Sequence, residues 1–280
     1  MLEFFEILKA VFLGIVEGIT EWLPISSTGH MILVDEFINL KASDGFKEMF
    51  LVVIQLGAIL AVPVVFWKRL FPFQKSASQE EKRNIWLLWL KVAVGVAPAA
   101  VLGLLLDDLL DEHLYNYVVV SVALIVYGVA FIFIERFKKN KEYRIDSVYD
   151  IGFKDALIIG AYQTLSLIPG TSRSGSTILG GMLSGVSRTA SAEFSFFMAI
   201  PVMLGASGLK ILKFILGGLT LTSLEIALLL VGIAVSFVVS LVAIRFLVDF
   251  VKKHTFSVFG VYRIALGALV LVYFFVKSFA

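Results

Sequence analysis

The sequence predicts an all-α polytopic membrane protein: six full transmembrane helices plus two re-entrant helix–loop–helix pairs, arranged as an inverted-topology repeat. The first observation is composition, because the 280 residues are 59% hydrophobic and only 16% charged, whereas an average soluble domain is about 25% charged. The second is a set of six long apolar segments. The third is a pair of apolar regions interrupted by proline, glycine and hydroxyl residues. We therefore expect lipid to be the solvent.

The charge balance and the cysteine count exclude several function classes. Lys and Arg total 24 and Asp and Glu total 22, which gives a formal net charge of +2, so we expect no nucleic-acid partner. The lack of cysteine in the sequence excludes disulfides, thiolate metal sites and cysteine catalysis. Glu3 and Glu6 stand where a signal peptide would carry cations, so we expect the first segment to remain in the mature protein.

Six apolar segments are long enough to cross a bilayer. A helix needs about 20 predominantly apolar residues to span the hydrocarbon core. Four segments are free of acidic and basic residues over most of that length, and two contain one cation each, Lys91 and Arg263. Transmembrane helices are predicted over residues 49–66, 86–106, 117–134, 194–209, 226–244 and 256–276.

Two further apolar regions, residues 4–40 and 151–186, are each interrupted by a short polar segment. The first polar segment, residues 24–30, begins at Pro24, and the second polar segment, residues 169–177, begins at Pro169. Such stretches cannot stay helical, and irregular backbone is tolerated at membrane depth only inside protein or beside a water-filled cavity. Each region is therefore predicted to be a re-entrant helix–loop–helix pair.

The order of segments predicts an internal repeat within one integral membrane domain, residues 1–280. A broken pair followed by three spans occurs in residues 1–135 and again in 151–277, joined by a basic linker at 136–150. Three crossings per half is an odd number, so the second half is predicted to be inverted and the polar segments to meet near the midplane.

Loop charges predict the orientation of this repeat. Basic loops at 67–85, 135–154 and 245–257 are expected on the cytoplasmic side, which makes 136–150 a cytoplasmic linker. Both termini and an acidic loop containing residues 107–112 are then outside. The first broken pair is expected to open to the outer face.

Two acids occur in the first helix of the first broken pair. Glu17 and Glu21 are four residues apart, so both carboxylates lie on one helix face. Unpaired carboxylates at this spacing repel each other, so either one of them is protonated or a cation lies between them. Mg²⁺ or Ca²⁺ would suit such a site, because both ions prefer oxygen ligands. The alternatives are that both acids pair with buried Lys or Arg, or that they face an aqueous vestibule.

The first polar segment combines hydroxyl groups with a histidine. Ser26, Ser27 and Thr28 precede an apolar helix, and capping of that helix explains one of the three hydroxyls. His30 follows Ser27 by three residues, close enough on one helical face for the imidazole to activate the hydroxyl as a nucleophile. The alternative is that His30 has a structural role.

The second polar segment predicts an anion site, with phosphate as the expected anion. Arg173 keeps its charge, and its planar guanidinium can bind two phosphate oxygens at once. A helix beginning just after it adds N-terminal amides and a favourable dipole. Pairing of Arg173 with Glu17 or Glu21 is an alternative that can coexist with anion binding. The surrounding hydroxyl residues are Thr171, Ser172, Ser174, Ser176 and Thr177.

Two other cations in apolar segments receive simpler interpretations. Arg263 is expected to form a buried ion pair, with Glu193 as the candidate partner. Lys91 lies near enough to the end of its segment to extend its ammonium group to the interface.

Two stretches resemble the signature motifs of the bacterial undecaprenyl-diphosphatases of the bacitracin-resistance type: EGITEWLPISSTGH, from Glu17 to His30, and PGTSRSGST, from Pro169 to Thr177. Similarity to that family extends over essentially the whole chain. The resemblance implies an inner-membrane enzyme whose site faces the periplasmic or outer side. Such an enzyme removes the terminal phosphate of undecaprenyl diphosphate and so regenerates the lipid carrier for peptidoglycan. The resemblance also implies divalent-metal dependence at the acidic motif and diphosphate binding at the arginine motif.

On this basis we expect phosphoryl transfer that depends on positioning and on charge neutralisation. Glu17 and Glu21 are predicted to hold Mg²⁺ or Ca²⁺. Ser27 or a water attacks the terminal phosphorus, with His30 as base and then acid. The residues predicted to bind the diphosphate are Ser26, Thr28, Thr171, Ser172, Arg173, Ser174 and Thr177.

The expected partners are a polyprenyl diphosphate lipid and membrane lipid, and a homodimer is left open. A second function class also stays open, a lipid-phosphate or anion transporter or flippase that uses the same site without hydrolysis. A structural membrane scaffold would explain the hydropathy but would leave both polar segments without a role.

Overall fold

The computed structural model describes residues 2–38, 40–138, 142–218 and 220–279. Within these residues the chain is helical, with one isolated bridge between Ile145 and Val186 as its only β pairing. The first seven helices are α1 (Leu2–Thr20), α2 (Ser27–Phe37), α3 (Asp44–Val53), α4 (Gln55–Val65), α5 (Trp67–Leu70), α6 (Gln79–Leu114) and α7 (Tyr117–Lys138). The remaining five are α8 (Phe153–Thr164), α9 (Arg173–Leu183), α10 (Arg188–Leu216), α11 (Ser223–Lys253) and α12 (Ser257–Lys277).

Six helical segments in the described part of the chain are long and apolar enough to cross a membrane, which confirms the six predicted spans. The first is formed by α3 and α4 together, because the helix is interrupted at Ile54. The other five are single helices. The six segments are Gly45–Val65, Gln79–Leu106, Tyr117–Lys138, Arg188–Leu216, Ser223–Lys253 and Ser257–Lys277.

The predicted acidic loop at residues 107–112 is wrong. Helix α6 continues through these residues to Leu114 and contains 36 residues in all. At 1.5 Å per residue it is about 54 Å long, against roughly 30 Å for the hydrocarbon core. A helix of this length can extend beyond the membrane, so charged residues after an apolar span need not begin a loop.

Both interrupted regions are helix–turn–helix units, and each break overlaps its predicted polar segment but begins before it. Residues 27–30 and 173–177, which were expected to be non-helical, instead form the first turns of α2 and α9, because the serine before each helix caps it. Helix α1 ends at Thr20 and α2 begins at Ser27, whereas α8 ends at Thr164 and α9 begins at Arg173. The residues just before α2 and α9, Ser26 and Ser172, have φ values of 72° and 73°. The hydroxyl oxygen of each accepts a hydrogen bond from the backbone amide three residues later. The two breaks therefore share the same local cap.

The packing of the helices brings the two breaks together. Helix α1 packs on α11, and α8 packs on α6, while α7 and α12 pack on each other and contact α9 and α2 respectively. The α8–α6 contact is close because Gly160 faces Gly95, where an added Cβ atom would lie 2.1 Å from the Gly95 carbonyl oxygen. Beside the breaks, Trp22 is fully buried and packs edge to face on Phe196 of α10.

Candidate active site

The two polar segments meet through an ion pair between Glu21 and Arg173. Glu21 lies in the turn after α1, and Arg173 is the first residue of α9. Arg173 Nη2 donates a hydrogen bond of 2.9 Å to Glu21 Oε1, and both side chains are only 10% exposed. Residues 152 positions apart thus form one contact. This is the pairing that the sequence offered as the alternative to a free anion-binding arginine.

The other groups of Glu21 bind hydroxyls from both polar segments. Ser27 Oγ, at the start of α2, donates to Glu21 Oε2 at 3.0 Å. Ser174 Oγ donates to the backbone carbonyl of Glu21 at 3.3 Å and lies 3.2 Å from Ser172 Oγ. Glu21 therefore contacts both Ser27, the predicted nucleophile, and the second polar segment, the predicted anion site.

The far side of the Arg173 guanidinium is held by α10. Nη1 donates to the carbonyl oxygen of Ser195 at 2.9 Å and to its hydroxyl at 3.2 Å. Thr177 Oγ1 lies 2.7 Å from the same Ser195 hydroxyl, and the guanidinium carbon sits 5.7 Å from the centre of the Trp22 ring. Arg173 is thus oriented from two sides before any ligand binds.

The remaining residues predicted to bind diphosphate lie around this pair. Ser26 and Ser172 are used as helix caps, and Thr171 is buried with no hydrogen-bond partner for its hydroxyl among the described residues. Thr28 lies half-buried in the first turn of α2. Helices α2 and α9 both begin at the site, so their N-terminal amides and dipoles favour an anion there.

Glu17 supplies a second carboxylate. It is 1% exposed and lies four residues, about one helical turn, before Glu21. Its Oε1 atom is buried without a hydrogen-bond partner in the described part of the chain. An unpartnered buried oxygen of this kind is costly unless a proton, a water or a cation satisfies it.

The donor set fits a hard divalent cation in chemistry but is incomplete by itself. Carboxylate oxygens are the ligands that Mg²⁺ and Ca²⁺ prefer, and Mg²⁺ is commonly held by one or two carboxylates together with waters and substrate phosphates. Glu17 and Glu21 provide two carboxylates, whereas the described residues contain no group of three or more His, Asp or Glu placed to hold a metal. Any cation here would need oxygens from the substrate or from water.

The predicted contact between His30 and Ser27 is not formed. His30 Nδ1 lies 2.7 Å from the Ser26 carbonyl oxygen, and Nε2 lies 2.7 Å from the Tyr262 hydroxyl. Because a carbonyl oxygen only accepts hydrogen bonds, we assign the proton of the neutral ring to Nδ1, and Nε2 then accepts from Tyr262. Both ring nitrogens are occupied, and Ser27 donates to Glu21 instead.

The predicted pairing of Arg263 with Glu193 is wrong. Glu193 forms its ion pair with Arg69. Arg263 is fully buried and donates to three backbone carbonyls in the two polar segments. Lys91 donates to the Tyr149 carbonyl oxygen at 2.7 Å, so its ammonium group is anchored by the chain itself.

Four residues that complete the site were not among the predicted site residues: Trp22, Ser195, Tyr262 and Arg263. The signal for Ser195 was a hydroxyl in an apolar span, and the signal for Arg263 was a cation in one, since each polar group in such a segment needs a partner. Trp22 and Tyr262 carried no comparable signal, because amphipathic aromatic residues are common in membrane helices.

Comparison with known proteins identifies the family of the chain. A family described as bacitracin resistance protein BacA matches residues 10–269. The chain is 60% identical over 272 residues to an undecaprenyl-diphosphatase of Enterococcus faecalis, with 96% of this chain and 98% of that protein covered. An undecaprenyl-diphosphatase of Acetivibrio thermocellus is 55% identical over 269 residues, covering 96% and 98%. One of Streptococcus mutans is 54% identical over 275 residues, covering 98% of each chain.

The family match includes both polar segments, the first five spans in full and the sixth span as far as residue 269. The chain belongs to the bacitracin resistance protein BacA family.

Proposed function

We propose that this chain hydrolyses undecaprenyl diphosphate to undecaprenyl phosphate and inorganic phosphate. The relatives described above are undecaprenyl-diphosphatases, and the family takes its name from bacitracin resistance. The observation that carries the proposal is the contact of Arg173 and Ser27 with the same Glu21 carboxylate. The reaction regenerates the lipid carrier used in peptidoglycan and envelope synthesis, which links it to bacitracin resistance.

The residues divide into a binding group and a reacting group. Arg173 and the hydroxyls of the second polar segment bind the diphosphate and offset the charge of the transferred phosphoryl group, which is the main task in phosphoryl transfer. Ser27 Oγ attacks the terminal phosphorus, and the bond to the undecaprenyl phosphate oxygen breaks. Glu21 Oε2 is the acceptor placed to take the Ser27 proton, because Ser27 already donates to it. Water then hydrolyses the phosphoserine. In the competing route a water attacks directly.

His30 serves this scheme indirectly. Its ring is fixed between the Tyr262 hydroxyl and the carbonyl of Ser26, the residue next to Ser27. In this position it orients the start of α2. A direct role as base would require its ring to leave both present partners.

Divalent-metal dependence is part of the proposal. Glu17 and Glu21 would hold Mg²⁺ or Ca²⁺, and the bound ion would neutralise charge on the diphosphate oxygens. The unpartnered Oε1 of Glu17 supports this assignment.

The re-entrant, inverted-repeat architecture is also proposed, with residues 1–135 and 151–277 as the two repeats. Helix α1 packs on α11 as α8 packs on α6, which is the pairing expected of equivalent helices. Gly128 of α7 and Gly260 of α12 face each other reciprocally: a Cβ atom added to either would lie 2.6 Å from the carbonyl oxygen of the other. A reciprocal contact of this kind is expected at a pseudo-twofold axis.

The proposed location is the bacterial inner membrane, with the site open to the periplasmic or outer face. The basic loops and linker would then lie in the cytoplasm, as loop charges predict. A homodimer stays a prediction that the mass of the purified protein–detergent complex would test.

The deciding experiment is phosphate release by purified protein in detergent with undecaprenyl diphosphate as substrate. Release that EDTA stops and that Mg²⁺ or Ca²⁺ restores supports both the phosphatase and the metal site. Release that is insensitive to EDTA keeps the phosphatase and removes the metal. Binding of the lipid without release contradicts the enzyme assignment. Protein carrying Arg173→Ala, purified in the same way, controls for contaminating phosphatases.

A further inference from the structure

Arg263 is a fully buried cation whose guanidinium donates hydrogen bonds only to backbone carbonyls in the described part of the chain. It lies in α12 and is 0% exposed. Nη1 donates to the Pro24 carbonyl oxygen at 3.1 Å. Nη2 donates to the carbonyl oxygens of Gly170 and Thr171 at 2.8 and 2.9 Å. Burying a charge without a carboxylate partner costs free energy, so we expect the buried Arg263 to have a specific role.

The three acceptors belong to both polar segments. Pro24 lies in the first, and Gly170 and Thr171 lie in the second, where the backbone is not helical. Carbonyls that leave a helix inside a membrane protein must find donors within the protein. The Arg263 guanidinium provides hydrogen-bond donors for the carbonyls of both breaks. The Tyr127 ring lies against the guanidinium, with the ring centre 5.6 Å from the guanidinium carbon.

These carbonyls stand directly before the residues of the site. Pro24 precedes Ser27 by three residues, and Thr171 precedes Arg173 by two. The position of each break relative to Arg263 therefore sets where α2 and α9 begin. We propose that Arg263 is a positioning residue for the reaction: by tying the two breaks together, it sets the distance between Ser27 and Arg173. This inference rests on the proposed function.

Positioning both breaks at once requires the two terminal nitrogens of an arginine. Nη1 serves one break and Nη2 serves the other, and the rigid guanidinium plane fixes their separation. A lysine places one ammonium nitrogen at the end of a flexible stem. A lysine would keep the charge and could donate to the carbonyls of one break, but its hydrogen bonds to the other break would be weaker or lost.

The test compares Arg263→Gln and Arg263→Lys in purified, folded protein, with kcat and KM measured separately. Misplacement of reacting groups by about 1 Å can lower a rate by roughly 100-fold, so we expect a fall of that order in kcat for Arg263→Gln. KM should change much less, because the residues that bind diphosphate are intact. Arg263→Lys should recover part of kcat. The matched control is Arg245→Gln and Arg245→Lys, at an exposed arginine of α11, which should leave both constants unchanged.

A second readout needs no turnover, so it separates failure of this inference from failure of the proposed function. The chain has no cysteine, and Phe37→Cys and Leu183→Cys place spin labels at exposed residues that end α2 and α9. We expect Arg263→Gln to broaden the distance distribution between the labels, and Arg245→Gln to leave it unchanged.

Three results would overturn the proposal. They are wild-type kcat in folded Arg263→Gln, an effect confined to KM, and an unchanged label distance. If Arg263→Gln does not fold, Arg263→Lys carries the same test, and wild-type kcat together with an unchanged label distance in that variant would also overturn it.

Discussion

Replacement of Arg173 by lysine isolates the geometry of the guanidinium from its charge. In the structure Nη2 binds Glu21, while Nη1 binds the carbonyl and hydroxyl oxygens of Ser195. A single lysine nitrogen can reach one of these two partners at a time. Because a hydrogen bond to a charged group contributes about 1.5–3 kcal/mol, the variant loses that amount. In the proposed mechanism it also loses one of two hydrogen bonds to the transferred phosphoryl group, which contributes a similar amount.

Together these losses come to about 4 kcal/mol, or roughly a 1000-fold fall in kcat/KM, since 1.36 kcal/mol changes a rate tenfold. The assay is phosphate release from undecaprenyl diphosphate by detergent-purified Arg173→Lys. We expect the variant to fold, because Glu21 still faces a cation.

The matched control is Arg188→Lys. Arg188 binds both carboxylate oxygens of Glu135, at 2.8 and 3.1 Å from Nε and 2.5 Å from Nη2. The same chemical change there should lower thermal stability and leave turnover per folded molecule unchanged. Near-wild-type turnover by folded Arg173→Lys would refute the reasoning and move the phosphate site elsewhere.

Three further predictions follow from the same contacts. Glu21→Gln keeps an oxygen for Arg173 but loses the carboxylate, so metal-stimulated turnover should disappear; a metal response equal to that of the wild type would remove the proposed cation site. Ser27→Ala should abolish turnover, and a phosphoserine trapped at this position during wild-type turnover would establish the covalent route, whereas full turnover by Ser27→Ala excludes it. Gly160→Ala must displace the Gly95 backbone and should lower the free energy of unfolding by about 1–3 kcal/mol, measured by thermal denaturation. Gly205→Ala is its control because an added Cβ meets nothing within 4 Å, and an equal loss in both variants would contradict the packing argument.

The sequence predicted best those features that depend on residues close together in the chain, namely the membrane spans and the helix breaks. Apolar length alone predicts a membrane helix, so all six spans could be found without coordinates. Proline and glycine beside hydroxyl residues mark turns, so a break near each polar segment was also predictable. A lone proline is weaker evidence, since Pro63, Pro98 and Pro201 lie inside helices. The helix through residues 107–112 was missed because charge composition indicates solvent contact, and a helix can project into solvent as readily as a loop.

The pairings within the site were less predictable, as the acids show. Glu21 and Glu193 were both candidates for a buried arginine, and spacing along the chain does not distinguish Arg69, Arg173 and Arg263 as partners. Likewise, the interval from Ser27 to His30 suits a hydrogen bond on an ideal helix. The His30 imidazole instead binds the Tyr262 hydroxyl, 232 residues away, because Tyr262 lies on α12, which packs against α2.

The amino-acid order by itself therefore determined the solvent, the number of spans and the two places where helices stop, since each depends on hydrophobicity or backbone freedom within one segment. The tertiary structure decided which charged and hydroxyl groups meet: Glu21 with Arg173 and Ser27, and Arg263 with both breaks. The physical reason is that such bonds act over about 3 Å. Only the packing of helices distant in sequence brings the atoms within that range.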